Sequence, residues 1–478
     1  MEAMTDPSSN VSLASLIAAS AGQFDASLRE LELVERGRHL LYRGDTEEAS
    51  RLFAKLKSRI NWTLLTLLKD GRIEEACEMW QQQINYKNAP SNHDWMQQEL
   101  DHALERSDYE FAGNISHFIS RNYWSSQWWP SDVGTTFTIP KRVPRDLLTV
   151  TKLRHDVAQY RYLRQLELLP SSFDRIIDIY TSLAEEIYSE KGEEGRKLMD
   201  QRSYSEIGDV YNRIVYISEC NGVHQALSRL WRGDDVENQY LSSQSGIVVI
   251  DDFLSSEALA AMRKFCMEST VWSGIKYSHG RLGAFFKDGF QCPLLLQIAH
   301  ELRQRLPQLL PNTHPLRHIW AFKNTIEMPP NVNLHADFAA VNVNFWITPK
   351  ESNLDRETGG MEIYDVDAPL GWDFHTYNGS SEIIQAFLRE NEAQRIYIPY
   401  RQNRCIIFNS DLFHGTHSVR FEKGYENQRI NVTFLYGDRS HDVSHPPLTT
   451  REDLKTKWRM IRSYAFSPMF RRGRPRIQ

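Results

Sequence analysis

The sequence of 478 residues lacks most features that mark secreted, membrane or disulfide-rich proteins. Its five cysteines are scattered without a Cys-x-x-Cys pair, which argues against a disulfide scaffold or a zinc ribbon and favours a reducing compartment. It contains no run of about 18 apolar residues, so we expect no membrane span. The polar N-terminal stretch has no basic segment, so we expect no signal peptide and a cytoplasmic location.

Neither sign of charge dominates the chain. The 56 basic and 62 acidic residues give a formal net charge of −6. This balance gives no reason to expect nucleic acid or a membrane surface as a partner. The length is too great for one ordinary domain, and the residue pattern changes about halfway along the chain.

Apolar residues at helical spacing predict that the first half is helical. Segments 44–53 and 71–80 resemble each other, with alanines at Ala49 and Ala76, and a fainter third copy contains Ala112. This resembles a degenerate tetratricopeptide-like array of helical hairpins, although the spacing is irregular. A plain helical bundle is the alternative. Further helices are predicted later, among them one over Val223–Arg232.

From Gly246 onward, short β-branched runs replace the helical pattern and predict an antiparallel sandwich or jelly-roll barrel. We therefore expect a two-part α+β chain, with an all-α helical-repeat or bundle region followed by a double-stranded β-helix (jelly-roll) domain with flanking helices. The predicted divisions are a flexible N-terminus (1–25), a helical-repeat region (26–123), a linker with additional helices (124–237), a jelly-roll domain (238–440) and a basic C-terminal tail (441–478).

One short motif, His335-Ala336-Asp337, carries the clearest chemistry. Alternation along a strand places His335 and Asp337 on the same face. One imidazole, one carboxylate and a second imidazole from elsewhere form the facial triad of a non-haem Fe(II) site, which leaves open positions for substrates and oxygen. His414, which follows the buried run Cys405–Phe408, is the favoured third ligand. His417 is the alternative.

Arg429 begins a predicted strand and shares a face with Asn431. A buried arginine is costly unless a carboxylate pairs with it, so we predict that Arg429 binds the far carboxylate of a chelating co-substrate. Asn344 and Trp346 lie on the polar face of another predicted strand. A polar row on a central strand predicts contacts with the co-substrate or the substrate.

Weaker patterns leave alternatives open. Lys323 faces either the pocket or, as the preferred interpretation, the solvent. Arg281, in a loop flanked by glycines, is a candidate substrate contact. The insert 351–395 is long enough for a lid, in which Trp372 and Phe374 would cover the site; a packed surface excursion is the alternative.

Together these residues resemble the Fe(II)/2-oxoglutarate-dependent dioxygenases, especially the prolyl-4-hydroxylase-like branch. The resemblance covers about Gly246 to Arg439 and rests on five segments: Val248–Ser255, His335-x-Asp337, Thr358-Gly359-Gly360-Met361, Phe408–His414 and Arg429-x-Asn431. It implies that His335, Asp337 and His414 ligate Fe(II) and that Arg429 binds 2-oxoglutarate. The family often has serine where this chain has Asn431, which can still donate hydrogen bonds.

The resemblance implies an enzyme that uses Fe(II), 2-oxoglutarate and O2 to hydroxylate an unactivated C–H bond, with release of succinate and CO2. Helical repeats offer concave surfaces, which favours a peptide, protein or amino-acid-like substrate. The same region could instead form a homodimer. Two other functions are an interaction protein with an inactive jelly roll and a metal protein of the cupin type, which usually has more histidines close together.

Overall fold

The computed structural model describes residues 32–55, 59–83, 89–124, 147–243, 246–275, 280–325, 327–329, 332–369, 371–379 and 381–439. The predicted flexible N-terminus (1–25) and basic tail (441–478) lie outside the described residues, as do positions 125–146 of the predicted linker.

The described part of the chain combines helices with antiparallel sheets. The helices are α1 (32–42), α2 (Thr46–Phe53), α3 (Arg59–Lys69), α4 (Ile73–Gln83), α5 (Ala89–Glu105), α6 (Tyr109–Ile119), α7 (Val150–Gln165), α8 (Phe173–Lys191), α9 (Gln201–Ile207), α10 (Gly233–Ser242), α11 (Ser256–Glu268), α12 (Pro293–Arg305), α13 (Phe374–Gly379) and α14 (Ser381–Glu390). None of these helices is both long and apolar enough to cross a bilayer.

Helices α1 to α6 lie in the half of the chain that is predicted to be helical. Gly44 and Gly71 follow α1 and α3 with φ angles of +85° and +75°, a conformation that favours glycine at a helix end. The three alanines of the similar segments, Ala49, Ala76 and Ala112, are fully buried. The small side chain lets neighbouring helices approach closely. The tetratricopeptide-like repeat itself stays a prediction.

The helix predicted over Val223–Arg232 is wrong. This segment is irregular, and its backbone is held by distant partners rather than by a helical turn. The backbone N–H groups of Ala226 and Leu227 donate to the carboxylate of Glu301 on α12, and Val223 exchanges hydrogen bonds with Gln297. Tertiary contacts thus override a local helical preference.

The strands are β1 (Leu147–Thr149), β2 (Arg196–Leu198), β3 (Ile247–Ile250), β4 (Arg281–Phe285), β5 (Leu316–Asn324), β6 (Val332–His335), β7 (Val341–Trp346), β8 (Met361–Asp367), β9 (Arg395–Ile398), β10 (Cys405–Asn409), β11 (Leu412–Thr416) and β12 (Arg429–Tyr436). A six-stranded sheet has the order β3-β10-β7-β12-β5-β4, and a four-stranded sheet has the order β6-β11-β8-β9. All pairings in these sheets are antiparallel.

Alternation along the strands gives the six-stranded sheet two different faces. Val343, Phe345 and Val432 belong to the same apolar core as α2 to α6, α11 and α12. Trp346, on the opposite face, packs with Met361 and other residues of the four-stranded sheet. The two sheets therefore face each other, and we call the facing sides the inner faces. The helices cover the outer face of the larger sheet.

Lys323 faces neither the pocket nor the solvent, so both sequence interpretations are wrong. It is fully buried on the outer face of β5, where Nζ lies 3.0 Å from the Tyr425 hydroxyl and 3.3 Å from His155 Nε2 on α7. His155 Nδ1 lies 3.0 Å from Asp156, which also accepts hydrogen bonds from Lys152. Burial lowers the pKa of Lys323 to about 7.

This buried cluster predicts a pH-dependent stability. Burial, and then the charge of Lys323, lower the pKa of His155 to about 3. As the pH falls, the imidazole of His155 is protonated in the unfolded chain at a higher pH than in the folded chain. The free energy of unfolding therefore decreases as the pH falls below about 6.5. We expect a loss of about 2 kcal/mol from this group between pH 7 and pH 5.

The measurement is chemical denaturation of the wild type and of His155→Gln at both pH values. The variant should lose less stability than the wild type over this interval. His39→Gln, a change at an exposed position, is the control and should keep the wild-type slope. Equal slopes for His155→Gln and the wild type would contradict the assignment.

Candidate metal centre

Two strands of the smaller sheet bring three polar side chains together. His335 ends β6 and lies directly opposite His414 of β11, with ring centroids 4.5 Å apart. Asp337 follows β6, and its backbone N–H donates to the Ser410 carbonyl just before β11. One ligand atom from each of His335, Asp337 and His414 lies within 4.8 Å of the other two. This arrangement could hold one metal ion.

The orientation of His414 is suited to metal binding. Its Nδ1 lies 3.0 Å from the Leu412 carbonyl oxygen, an acceptor, so the proton belongs on Nδ1. Its Nε2 faces the carboxylate of Asp337, whose Oδ2 is 3.4 Å away, and a protonated ring donates to this oxygen. A metal ion would take the place of that proton. His335 Nε2 lies 3.7 Å from Asp337 Oδ1. Such backbone hydrogen bonds typically fix metal-ligating histidines.

Asp337 is 2% exposed, and Nδ2 of Asn342 on β7 donates to its Oδ2 at 2.7 Å. Burial alone would raise the pKa of Asp337. The hydrogen bond with His414 and the adjacent imidazoles outweigh burial and hold this pKa below its usual value. The carboxyl group is therefore ionised, as metal ligation requires.

His417, the alternative ligand, points away from this centre. Its Nδ1 lies 3.0 Å from both the Tyr397 and the Ser418 hydroxyls, and its Nε2 is 3.6 Å from Glu362. It lies just beyond the end of β11, and alternation on β8 places its neighbour Glu362 on the face opposite Ile363, the residue that pairs with His414.

Arg429 is 2% exposed on the inner face of the larger sheet. Its guanidinium donates to the carbonyl oxygens of Gly359 and Gly360 and to the amide oxygens of Asn324 and Asn431. All four acceptors are neutral, and the ion pairs among the described residues do not include Arg429. Burial is the main cause that lowers the pKa of Arg429 to about 9. This is a buried cation that an anionic ligand would stabilise.

The other residues predicted to bind the co-substrate lie near Arg429 on the same face. Asn431 and Trp346 are directly opposite each other in the β12–β7 register. The ring centroid of Trp346 is 5.6 Å from the guanidinium carbon, and its buried Nε1 has no hydrogen-bond partner in the described structure. Asn344 pairs with Thr433, two residues along the same strands from the pair Trp346 and Asn431, and donates to the Thr433 hydroxyl at 2.8 Å.

Gly359 and Gly360 explain the Thr-Gly-Gly-Met motif. Gly359 has a φ of +78°, and a Cβ at Gly360 would collide with the carbonyl oxygen of Ile398 on the neighbouring β9. Only glycine lets the backbone approach β9 this closely while both carbonyls reach Arg429.

We therefore expect Gly360→Ala to lower the free energy of unfolding by roughly 2–4 kcal/mol, because the new methyl group forces β8 away from β9. Gly371→Ala is the matched control, since nothing lies within 4 Å of a Cβ at that position. Urea denaturation of both variants checks the prediction. A Gly360→Ala protein as stable as Gly371→Ala would contradict it.

The predicted lid separates into two parts. Trp372 packs against Phe387 and Phe413 on the outer side of the smaller sheet. Phe374 instead contacts Phe338, the residue after Asp337. The backbone of Ala336 exchanges hydrogen bonds with Tyr377 and Asn378, which attaches α13 to the ligand-bearing segment.

Sequence reasoning missed the supporting roles of Asn324 and Asn342. Alternation along β7 puts Asn342 on the same face as Asn344 and Trp346, but its contact with Asp337 depends on how two separate sheets meet. Asn324 pairs directly with Arg429 in the β5–β12 register, and that register cannot be obtained from either strand alone.

Comparison with known proteins gives only distant likenesses. No protein-family model and no curated protein matches the chain. Among solved structures, a prolyl-4-hydroxylase from Pseudomonas putida has 12% identity and a TM-score of 0.24, covering 46% of this chain and 100% of its own. SnoN, a non-haem α-ketoglutarate-dependent epimerase from nogalamycin biosynthesis, has 13% identity and a TM-score of 0.30, covering 46% and 91%.

HygX from Streptomyces hygroscopicus, crystallised with nickel, 2-oxoglutarate and hygromycin B, has 14% identity and a TM-score of 0.29, covering 43% of this chain and 87% of its own. Likenesses at these values do not decide what this chain does. Its assignment has to come from its own residues.

Proposed function

We propose that this chain is an Fe(II)- and 2-oxoglutarate-dependent dioxygenase that hydroxylates an unactivated C–H bond. The observation that carries the proposal is the set of His335, Asp337 and His414, whose ligand atoms lie within 4.8 Å of one another. Two imidazoles and one carboxylate are the facial triad of non-haem Fe(II) oxygenases. A buried guanidinium with neutral partners, Arg429, lies on the inner face of the opposite sheet.

The donor set fits Fe(II). His335 and His414 would supply neutral nitrogen donors and Asp337 one anionic oxygen, which leaves open coordination positions for a chelating keto acid and O2. When bound, the metal activates O2 with electrons from the oxidative decarboxylation of 2-oxoglutarate. Asn342 holds the Asp337 carboxylate in place, and the Leu412 carbonyl holds the His414 ring.

Arg429 would bind the distal carboxylate of 2-oxoglutarate. An incoming carboxylate would replace part of its neutral hydrogen-bonding shell and neutralise a cation that burial disfavours. The Nδ2 group of Asn431 and the Nε1 group of Trp346 are further donors at this end of the site. In the family that this chain resembles, halogenases have a small residue where this chain has Asp337, so the carboxylate favours hydroxylation.

The overall reaction consumes R–H, 2-oxoglutarate and O2 and yields R–OH, succinate and CO2. One oxygen atom enters the product and the other enters succinate. We propose a peptidyl or amino-acid-like substrate, because a region of paired helices precedes the two sheets. A helical interaction protein with an inactive jelly roll is the alternative, and the complete triad argues against it.

The test is a succinate assay on the full-length protein with 2-oxoglutarate and O2, in the presence of Fe(II) or of redox-inactive Zn(II). We expect succinate with Fe(II) only. Mass spectrometry of a pool of peptides and amino acids incubated with the enzyme should then show a product that has gained one oxygen atom. When the reaction is run under 18O2, that atom should be 18O. Equal succinate levels with Fe(II) and Zn(II) would contradict the proposal.

A further inference from the structure

The inner face of the larger sheet changes its chemistry across its width. On β12 and β7 it carries Arg429, Asn431 and other polar residues of the candidate site. On β4 and β5 the inner-facing positions have no aliphatic side chain. These positions are Arg281, Gly283, Phe285, His318, Trp320, Phe322 and Asn324.

Rings from these strands continue as one contacting series onto the segment beside the metal centre. We call the series the aromatic wall; it consists of Phe285, His318, Trp320, Phe322, Phe338 and Phe374. Three of its six ring pairs meet edge to face; among them, Phe285 and Phe322 have centroids 6.1 Å apart at 89°, and Trp320 and Phe338 have centroids 6.3 Å apart at 66°. The wall therefore presents both ring faces and ring edges.

The wall reaches the candidate ligands. Phe338 is the residue after Asp337, and Phe374, 6.4 Å from Phe338, is 47% exposed on α13. Phe285, Trp320 and Phe338 are only half-buried. A molecule that lies against the wall would therefore be within reach of the metal centre.

We propose, on the basis of the proposed function, that the aromatic wall binds an aromatic ring of the substrate. The carbon attached to that ring would then face the metal centre. A pocket for an alkyl chain would be lined by leucine, isoleucine or valine, and β4 and β5 offer none of these on the inner face. A ring placed against the wall gains edge-to-face and offset contacts that an aliphatic group of equal area lacks.

Charge favours a neutral or anionic substrate group over a cationic one. Aromatic clusters also bind quaternary ammonium groups. Here, however, the Arg281 guanidinium lies 3.8 Å from the ring centroid of Phe322. A substrate cation would have to compete with this guanidinium for the face of that ring.

The test measures dissociation constants by NMR titration of the full-length protein loaded with Zn(II) and 2-oxoglutarate. The probes are N-acetyl-tryptophanamide, indole, N-acetyl-leucinamide, N-acetyl-prolinamide and tetramethylammonium. We expect the two aromatic probes to bind most tightly. Tighter binding of the tryptophan amide than of indole would indicate a peptide or amino-acid source of the ring, and the reverse would indicate a free aromatic metabolite.

Trp320→Leu and Phe338→Leu should each weaken binding of the tighter aromatic probe by about 3- to 10-fold. Trp372→Leu, the same change on the outer side of the smaller sheet, should leave that binding unchanged. Calorimetric titration of Zn(II) and 2-oxoglutarate into the wild type and each variant comes first. Failure of the wild type to bind them would contradict the proposed function instead, and only variants that bind both are compared. If metal and 2-oxoglutarate bind but the aromatic probes bind no more tightly than the others, or no probe binds, the aromatic wall is not a substrate site.

Discussion

His414→Ala should reduce Fe(II)-dependent succinate formation by more than about 100-fold, because it removes one of three metal ligands and second-shell changes alone typically cost 10- to 100-fold. The change leaves Asp337 with one imidazole neighbour and the metal with two protein donors. Fe(II) affinity, measured by anaerobic titration, should fall together with activity.

His417→Ala is the matched control for this variant. It removes an imidazole from the segment just after β11, where His417 contacts Tyr397 and Ser418 on the side away from the metal centre. We expect it to keep Fe(II) affinity and succinate formation within about 2-fold of the wild type, as for most surface substitutions. A His417→Ala protein that loses iron while His414→Ala keeps it would reverse the ligand assignment.

Arg429→Met should raise the apparent KM for 2-oxoglutarate by about 150- to 4000-fold, which corresponds to the roughly 3–5 kcal/mol expected when one partner of a buried charge pair is removed. The apo protein should behave differently. Burial disfavours this guanidinium, and its partners are neutral, so the free energy of unfolding of the apo variant should equal or exceed that of the wild type.

A large rise in KM without a loss of stability in the apo protein distinguishes a ligand-binding arginine from a structural one. Thermal melts with and without 2-oxoglutarate and Zn(II) provide the measurement, because a ligand that binds only the folded state raises the melting temperature. The wild type should gain stability from 2-oxoglutarate and Arg429→Met should not. Arg420→Met, at an exposed position, is the control. A strongly destabilised apo variant that still binds 2-oxoglutarate would contradict the role.

The residues of the candidate site could be identified from the sequence because strand alternation is a local property. It placed His335 and Asp337 on one face, and the order of short strands pointed to His414 and Arg429. Alternation could not decide between His414 and His417, because His417 lies beyond the end of β11 and the strand register shifts after His414.

Cross-strand register and the packing of the helices could not be predicted, because both depend on residues far apart in the chain. Lys323 illustrates this limit. Alternation along β5 places its side chain on the outer face of the sheet, but only the structure shows that α7 covers that face. The segment 223–232 shows the same limit, where a carboxylate from α12 satisfies the backbone in place of a helix. The aromatic wall likewise combines rings from β4, β5, α13 and the segment after β6.

The most direct test of the central claim is an anaerobic titration of the full-length protein with Fe(II) and then with 2-oxoglutarate, followed by visible absorption. If His335, Asp337 and His414 hold one ferrous ion with open positions for a chelating keto acid, a weak charge-transfer band will appear only after both are added and will saturate at one equivalent of each. Absence of the band, or an undiminished band in His414→Ala, would contradict the account.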